Sequence, residues 1–243
     1  MDMREETVRA DSDESRTVLV VGASRGLGYA MTAEFLDRGW RVIATVRDPS
    51  VGSPLKELAD RADMALRVEG LDINDPEQLA ILRETLADER VDILFVNAGI
   101  TNHRQTPIAE VPTADYVELM VTNALSPMRV IEMLQHLVPE GGLLGAMSSG
   151  MASITNNTRG NEELYRGSKA ALNMFMRSFA VRQAGSGRAI VLMTPGWVQT
   201  ALGGAEAPLT VDESVPLVVD VLVSRLGHSD LEFLDNEGRV IPW

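Results

Sequence analysis

Thr17-Val-Leu-Val-Val21 runs directly into Gly22-Ala-Ser24-Arg25-Gly26-Leu27-Gly28. The first five residues form a β-branched apolar run, which predicts a buried strand of a parallel sheet. The glycines follow at G-x-x-x-G-x-G spacing, and a helix-like segment continues to Arg38-Gly39. Strand, glycine turn and helix in that order give a glycine motif its meaning. Without side chains the backbone can turn tightly and approach a pyrophosphate at a helix N-terminus, where unpaired N–H groups and the helix dipole favour an anion. A purely structural turn would use the same glycines, so the rest of the chain has to decide.

Arg41-Val-Ile-Ala-Thr-Val46 predicts a second strand, followed by Arg47-Asp48-Pro49. In folds that bind a dinucleotide at such a loop, an acid at this point takes the free ribose hydroxyl of NAD, and an arginine takes the extra phosphate of NADP. Asp48 lies ~20 residues past the glycines, as the NAD rule expects. With the strand ending at Val46, however, Arg47 is the first side chain over the ribose, and Arg25 supplies a second cation. NADP(H) is therefore the preferred reading, with NAD(H) the alternative.

Pro54 opens a short helix, and a third strand at about Ala65–Val68 leads to Leu71-Asp72-Ile73. Asn74-Asp75-Pro76-Glu77 caps the next helix. Val91–Val96 predicts a fourth strand, ending in Asn97-Ala98-Gly99. A long helix is expected from near Thr113 to about His136, with Asn123 and the nearby Pro127 marking a local bend. Leu143–Met147 predicts strand five, with Ser148-Ser149-Gly150 at the carboxyl end, where open parallel sheets bind ligands. After a polar connection from Met151 to Leu164 comes a helix from Tyr165 to Gly185. Ala189–Met193 predicts strand six, followed by Thr194-Pro195-Gly196-Trp197-Val198-Gln-Thr200 and a loop through Pro208. A last helix spans Thr210/Val211 to about Leu226, and a short strand lies near Leu231–Leu234. The alternation implies one domain, residues 17–243, built on a sheet of about seven parallel strands with helices on both faces. Residues 1–16 are polar and acid-rich and are expected to form a flexible tail.

Composition narrows the function. Across 243 residues, 22 Lys and Arg face 35 Asp and Glu, a net charge of −13. That charge disfavours nucleic acid and anionic membranes, so a phosphorylated ligand needs locally placed arginines. With no cysteine, disulfide, thiolate and Cys-based metal chemistry is absent, and His103, His136 and His228 are scattered. No metal site is expected. No apolar run approaches the ~20 residues of a membrane span, and the N-terminal residues lack a signal-peptide core, so a cytoplasmic protein is expected.

Tyr165-Arg-Gly-Ser-Lys169 carries the candidate chemistry. On a helix, residues four apart lie on one face, about a turn apart. A free tyrosine loses its proton near pH ~10, too high for a matched acid or base at neutral pH. The Lys169 ammonium is expected to lower that value. A half-buried tyrosine beside a solvated lysine is the bland alternative for the pair taken alone.

Taken together these residues resemble the short-chain dehydrogenase/reductase family, a Rossmann-like fold. The motifs stand in family order: Gly22-x-x-x-Gly26-x-Gly28, Asp72, Asn97-Ala98-Gly99, Asn123, Ser149, Tyr165-x-x-x-Lys169 and Pro195-Gly196. The Ser149–Ile154 stretch, the Tyr165–Asn173 stretch and the terminal Pro242-Trp243 look most like the C-factor and Sniffer-type carbonyl reductase subgroup. The resemblance implies an oxidoreductase that interconverts a carbonyl and an alcohol, commonly as a homodimer or homotetramer. It implies Asn123, Ser149, Tyr165 and Lys169 as the catalytic set. Tyr165 would be the proton donor, Ser149 the oxyanion donor, Lys169 the group that tunes Tyr165 and holds the nicotinamide ribose, and Asn123 the holder of a water linking Lys169 to solvent. The cofactor set is Gly22, Ser24, Arg25, Gly26, Leu27, Gly28, Arg47, Asp72, Ile73, Asn97, Ala98, Gly99, Tyr165, Lys169, Pro195, Gly196, Val198 and Thr200. Asp72 would meet the adenine and Thr200 the carboxamide. Two departures stand out. Val21 replaces a common Thr, so one loop hydrogen bond is expected to be missing. The Ser149-to-Tyr165 spacing of 16 residues leaves Ser148 or Ser153 as alternative serines. Residues 197–208, Met151, Ile154 and the loop 101–107 are expected to line the substrate pocket. Two rival functions remain: a cofactor-binding signalling protein without turnover, and a serine hydrolase using Ser148 or Ser149 with His228 and Asp230.

Overall fold

The computed structural model describes residues 15–49 and 54–243; the expected tail lies, apart from Ser15 and Arg16, outside them. Seven strands form one sheet: β1 (Thr17–Val21), β2 (Arg41–Val46), β3 (Leu66–Gly70), β4 (Ile93–Val96), β5 (Leu143–Met147), β6 (Ala189–Met193) and β7 (Leu231–Leu234). Their order is β3-β2-β1-β4-β5-β6-β7, and every pairing is parallel. The helices are α1 (Gly26–Asp37), α2 (Pro54–Ala62), α3 (Pro76–Thr85), α4 (Thr113–Met120), α5 (Ser126–Leu134), α6 (Glu163–Arg182) and α7 (Val211–Ser224).

Strand alternation feeds two cores, because successive side chains point to opposite faces. Val18 and Val20 of β1 pack with Met31 and Phe35 of α1 and Val218 and Leu222 of α7. Leu19 and Val21 pack on the other side with Leu79 of α3, Ile131 of α5 and Leu172 and Phe179 of α6. Helices thus cover both faces, which is why β1 reads as an unbroken apolar run. This is a single-domain Rossmann-like sheet.

Several elements differ in detail from the sequence expectation; α6, for one, runs over Glu163–Arg182 rather than from Tyr165 to Gly185. β4 begins at Ile93 rather than Val91, because the N–H of Val91 bonds Leu137 O at 3.0 Å, outside the sheet. β3 extends to Gly70, where Glu69 and Gly70 keep register with Thr45 and Val46 although neither is apolar. The long helix is broken into α4 and α5 by a π-helical turn at Val121–Leu125. Pro127 lacks the N–H that would bond the carbonyl of Asn123, so the regular ladder cannot continue through this point.

Candidate active site

The sheet order reverses between β1 and β4, and in open parallel sheets such a point leaves a crevice at the carboxyl ends of the strands. Gly22 follows β1 there and Asn97 follows β4. The Asn97 amide donates to the carbonyl of Gly22 at 2.9 Å. Gly28 lies directly beneath this contact: a Cβ on it would sit 2.1 Å from Gly22 O and 2.7 Å from Asn97 Nδ2. Gly22 has φ +89°, and its Cβ would meet Ala98 at 2.8 Å. Both glycines are therefore required by space, and Gly22 also by conformation. The N–H of Gly22 finds Thr45 Oγ1 at 3.1 Å, so the bond expected to be lost with Val21 is offset from the neighbouring strand.

At the start of α1, Arg25 occupies the cap position without a side-chain cap, and the first turn carries no acid. The helix N–H groups there are left for a ligand. A cavity of about 950 Å³ opens from this point. Arg25 and Arg47 stand at its edge with Ser24, Gly26 and Leu27. Asp72, Ile73, Asn97, Ala98 and Gly99 form its middle. Ser149, Tyr165 and Lys169 line it together with Pro195, Gly196, Val198 and Thr200. Gly28 is buried under the loop rather than exposed to the cavity. A glycine floor, an uncapped helix start and two arginines fit a phosphorylated dinucleotide.

The candidate catalytic side chains converge at the carboxyl end of β5. Tyr165 and Lys169 share one face of α6, both buried, at 7% and 3% exposure. Tyr165 is hydrogen-bonded to Ser149. The Ser149 hydroxyl also accepts from the N–H of Met151 at 3.1 Å, which fixes its orientation. The alternative serines are engaged elsewhere. Ser148 donates to Asn173 at 2.6 Å, and Ser153 caps Asn156 at 3.1 Å. The Lys169 ammonium donates to the carbonyl of Met147 at 2.9 Å.

The expected effect of Lys169 on Tyr165 is corrected by the structure. Burial pushes the Tyr165 hydroxyl up to about 12, against the opposing hydrogen bond from Ser149, and Glu162 pushes the same way while Arg104 opposes. Burial also draws Lys169 down to about 8. Desolvation outweighs pairing because it penalises both charged forms, and the ammonium is turned toward Met147.

Asn123 is fully buried in the π-helical turn and does not line the cavity. Its carboxamide is taken up by Ile100, accepting from that N–H at 2.8 Å and donating to that carbonyl at 2.9 Å, and it donates to Ser168 at 3.0 Å. Its Oδ1 and the Lys169 Nζ each lie 3.3 Å from where a Cβ on Gly99 would stand, so both border that glycine.

Met151 lines the cavity as expected, but Ile154 is 80% exposed and faces solvent. Of the loop 101–107 only Arg104 reaches the cavity wall. Sequence reasoning missed Glu162, and it gave Arg104 no role beyond its place in that loop. Both are charged residues flanking the Tyr165 motif in space, and the only available signal was charge in loops that a parallel sheet brings to one edge. The hydrolase alternative is overturned by topology. Ser149 follows the carboxyl end of β5, whereas His228 and Asp230 precede the amino end of β7, at the opposite rim of a parallel sheet.

Comparison with known proteins agrees with this geometry. The short chain dehydrogenase family profile matches residues 16–208. A Burkholderia multivorans protein solved with bound NADP is 57% identical, with a TM-score of 0.93, covering 95% of this chain and 100% of that one. A carbonyl reductase from Pseudomonas aeruginosa in complex with NADP is 38% identical, with a TM-score of 0.88, over 95% and 100% of the two chains. C-signal from Myxococcus xanthus is 36% identical over 155 residues, 63% of this chain and 93% of that protein.

Proposed function

The chain belongs to the short chain dehydrogenase family, and from that premise we propose that it is an NADP(H)-dependent oxidoreductase interconverting a carbonyl and an alcohol. The observation that carries this reading is the buried hydrogen bond between Tyr165 and Ser149 on the wall of a cavity that begins at an uncapped helix N-terminus. When bound, the nicotinamide supplies or accepts the hydride. Tyr165 gives its proton to the carbonyl oxygen in reduction; burial, which raises its pKa, keeps the phenol protonated through the neutral range. Ser149, already oriented by Met151, donates to the oxygen as negative charge develops there.

Lys169 binds the nicotinamide ribose. With its pKa drawn down to about 8, it can also pass a proton onward near neutrality. Asn123 acts through the Ile100 backbone and Ser168 as a positioning residue rather than by touching substrate. Gly22, Ser24, Gly26, Leu27 and Gly28 form the pyrophosphate cradle. Arg25 and Arg47 take the extra phosphate of NADP. Asp72 and Ile73 meet the adenine, Asn97–Gly99 back the ribose, and Pro195, Gly196, Val198 and Thr200 hold the carboxamide. The NADP-bound relatives support this cofactor choice. No described helix is long and apolar enough to cross a membrane. A homodimer or homotetramer in the cytoplasm is part of the proposal. Titration with NADPH against NADH, followed by NADPH consumption over a panel of aldehydes, ketones and diketones, tests it; tighter NADPH binding and turnover of at least one carbonyl are expected.

A second reading is favoured by one observation, the similarity to C-signal. In it the chain binds the dinucleotide and reports its redox state without turnover. Dinucleotide binding with no consumption across the panel would select this reading.

A further inference from the structure

Arg104 lies in the loop after β4 and Glu162 in the segment just before α6. Both are half-buried, and both line the cavity near Tyr165. The carbonyl of Arg104 accepts from the N–H of Glu162 at 3.1 Å, and its guanidinium donates to the carbonyl of Leu202, in the loop after β6. One residue thus ties together the three segments that surround the substrate end of the cavity. Glu162 is held at φ 55°, in the left-handed region, which is unfavourable for a residue with a side chain. Arg166 stabilises this arrangement by donating to the carbonyl of Asn161 at 2.6 Å and to its side chain at 3.1 Å.

A guanidinium carries five donors in a planar fork, and the Leu202 contact leaves most of them available. Arg104 forms no ion pair with a carboxylate among the described residues, Glu162 included. Its charge is nevertheless felt at the Tyr165 hydroxyl. A chain of net charge −13 repels anions at long range, so a cation held at this point has a local purpose.

Resting on the reductase reading of this site, we propose that Arg104 selects substrates bearing a carboxylate close to the reacting carbonyl: oxo acids and their hydroxy-acid counterparts. The planar fork matches a carboxylate in geometry, and Glu162 beside it disfavours a second negative group. In reduction the carbonyl carbon gains a hydride from the reduced dinucleotide, the oxygen gains the Tyr165 proton, and the carboxylate is unchanged.

The test is calorimetric titration of benzoylformate and of its methyl ester into the protein saturated with NADP⁺, with NADPH consumption followed on the same pair. Wild type is expected to bind the acid at least about tenfold more tightly than the ester, the worth of one charge-assisted contact. Arg104→Gln keeps a donor for Leu202 O but loses the charge; it should erase that preference while affinity for the ester and for NADP⁺ is unchanged. Glu162→Gln should strengthen acid binding. If Arg104→Gln does not fold, Arg104→Lys, which retains the charge but not the planar fork, should reduce the preference without erasing it. Equal binding of acid and ester by wild type, or a preference that survives in Arg104→Gln or vanishes in Arg104→Lys, overturns the assignment. Preferential acid binding without NADPH consumption on either compound contradicts the reductase reading and leaves the Arg104 assignment standing.

Discussion

The Lys169 ammonium donates a 2.9 Å hydrogen bond to the carbonyl of Met147, the last residue of β5, from within a buried environment. One backbone carbonyl is a poor replacement for the water an ammonium loses on burial, so the charged form is disfavoured and the pKa falls to about 8. The same burial pushes the phenol one turn earlier up to about 12. A shared desolvation thus shifts both lysine and tyrosine toward their neutral forms.

This has a consequence for stability. Between pH 8 and Lys169's ordinary value of 10.5 the unfolded chain binds a proton that the folded chain has released, so folding stability rises with pH in that window. The gain approaches about 1.4 kcal/mol per pH unit for one group. Lys169→Met removes this contribution. Thermal unfolding of the two dinucleotide-free proteins between pH 7 and 10 should show wild type gaining on the variant above pH 8, and parallel curves would contradict the assignment.

Glu162 raises the Tyr165 pKa and Arg104 lowers it. Oxidation of an alcohol requires the phenolate, so its rate climbs as pH rises toward the Tyr165 value. Replacing Glu162 by Gln should move that alkaline limb to lower pH, and Arg104→Gln should move it higher. Rate–pH profiles of the oxidation read both shifts, and limbs that do not move apart would rule out electrostatic control by this pair.

Gly28 cannot carry a side chain, because its Cβ would lie 2.1 Å from a backbone carbonyl oxygen. Gly28→Ala should destabilise the fold by at least about 1–3 kcal/mol, as overpacking does, and should abolish NADPH binding by displacing Gly22 and Asn97. Denaturant unfolding together with fluorescence titration of NADPH tests this. Wild-type affinity in the variant would show that the cradle is not where the dinucleotide binds.

Arg47 stands immediately past the end of β2 and at the cavity edge. Arg47→Asp should weaken NADPH by about tenfold or more through loss of a charge-assisted contact, while NADH is affected far less. Equal weakening of both dinucleotides would argue against recognition of the extra phosphate.

Much of this was legible in the chain because a parallel sheet buried on both faces writes itself as apolar runs. β1, β5 and β6 are bounded where those runs begin and end. The glycine loop and the Tyr165–Lys169 face were legible because local spacing alone fixes them. Three features were not. The π-helical turn at Asn123 is a hydrogen-bonding pattern that Pro127 only hints at. The direction of the Tyr165 shift depends on how deeply the tyrosine is buried, which no four-residue spacing encodes. Arg104 and Glu162 are 58 residues apart in sequence and meet only because the loops after β4 and before α6 rise at one edge of the sheet.

The central claim is that the Tyr165 hydroxyl is the group that moves the proton. Tyr165→Phe preserves the ring that packs in the core and removes only that hydroxyl, so NADPH titration and carbonyl-dependent NADPH consumption can be compared directly with wild type. The account predicts a fall in turnover of about 10²–10⁴-fold with unchanged NADPH affinity. Turnover at the wild-type rate in the phenylalanine variant would contradict it.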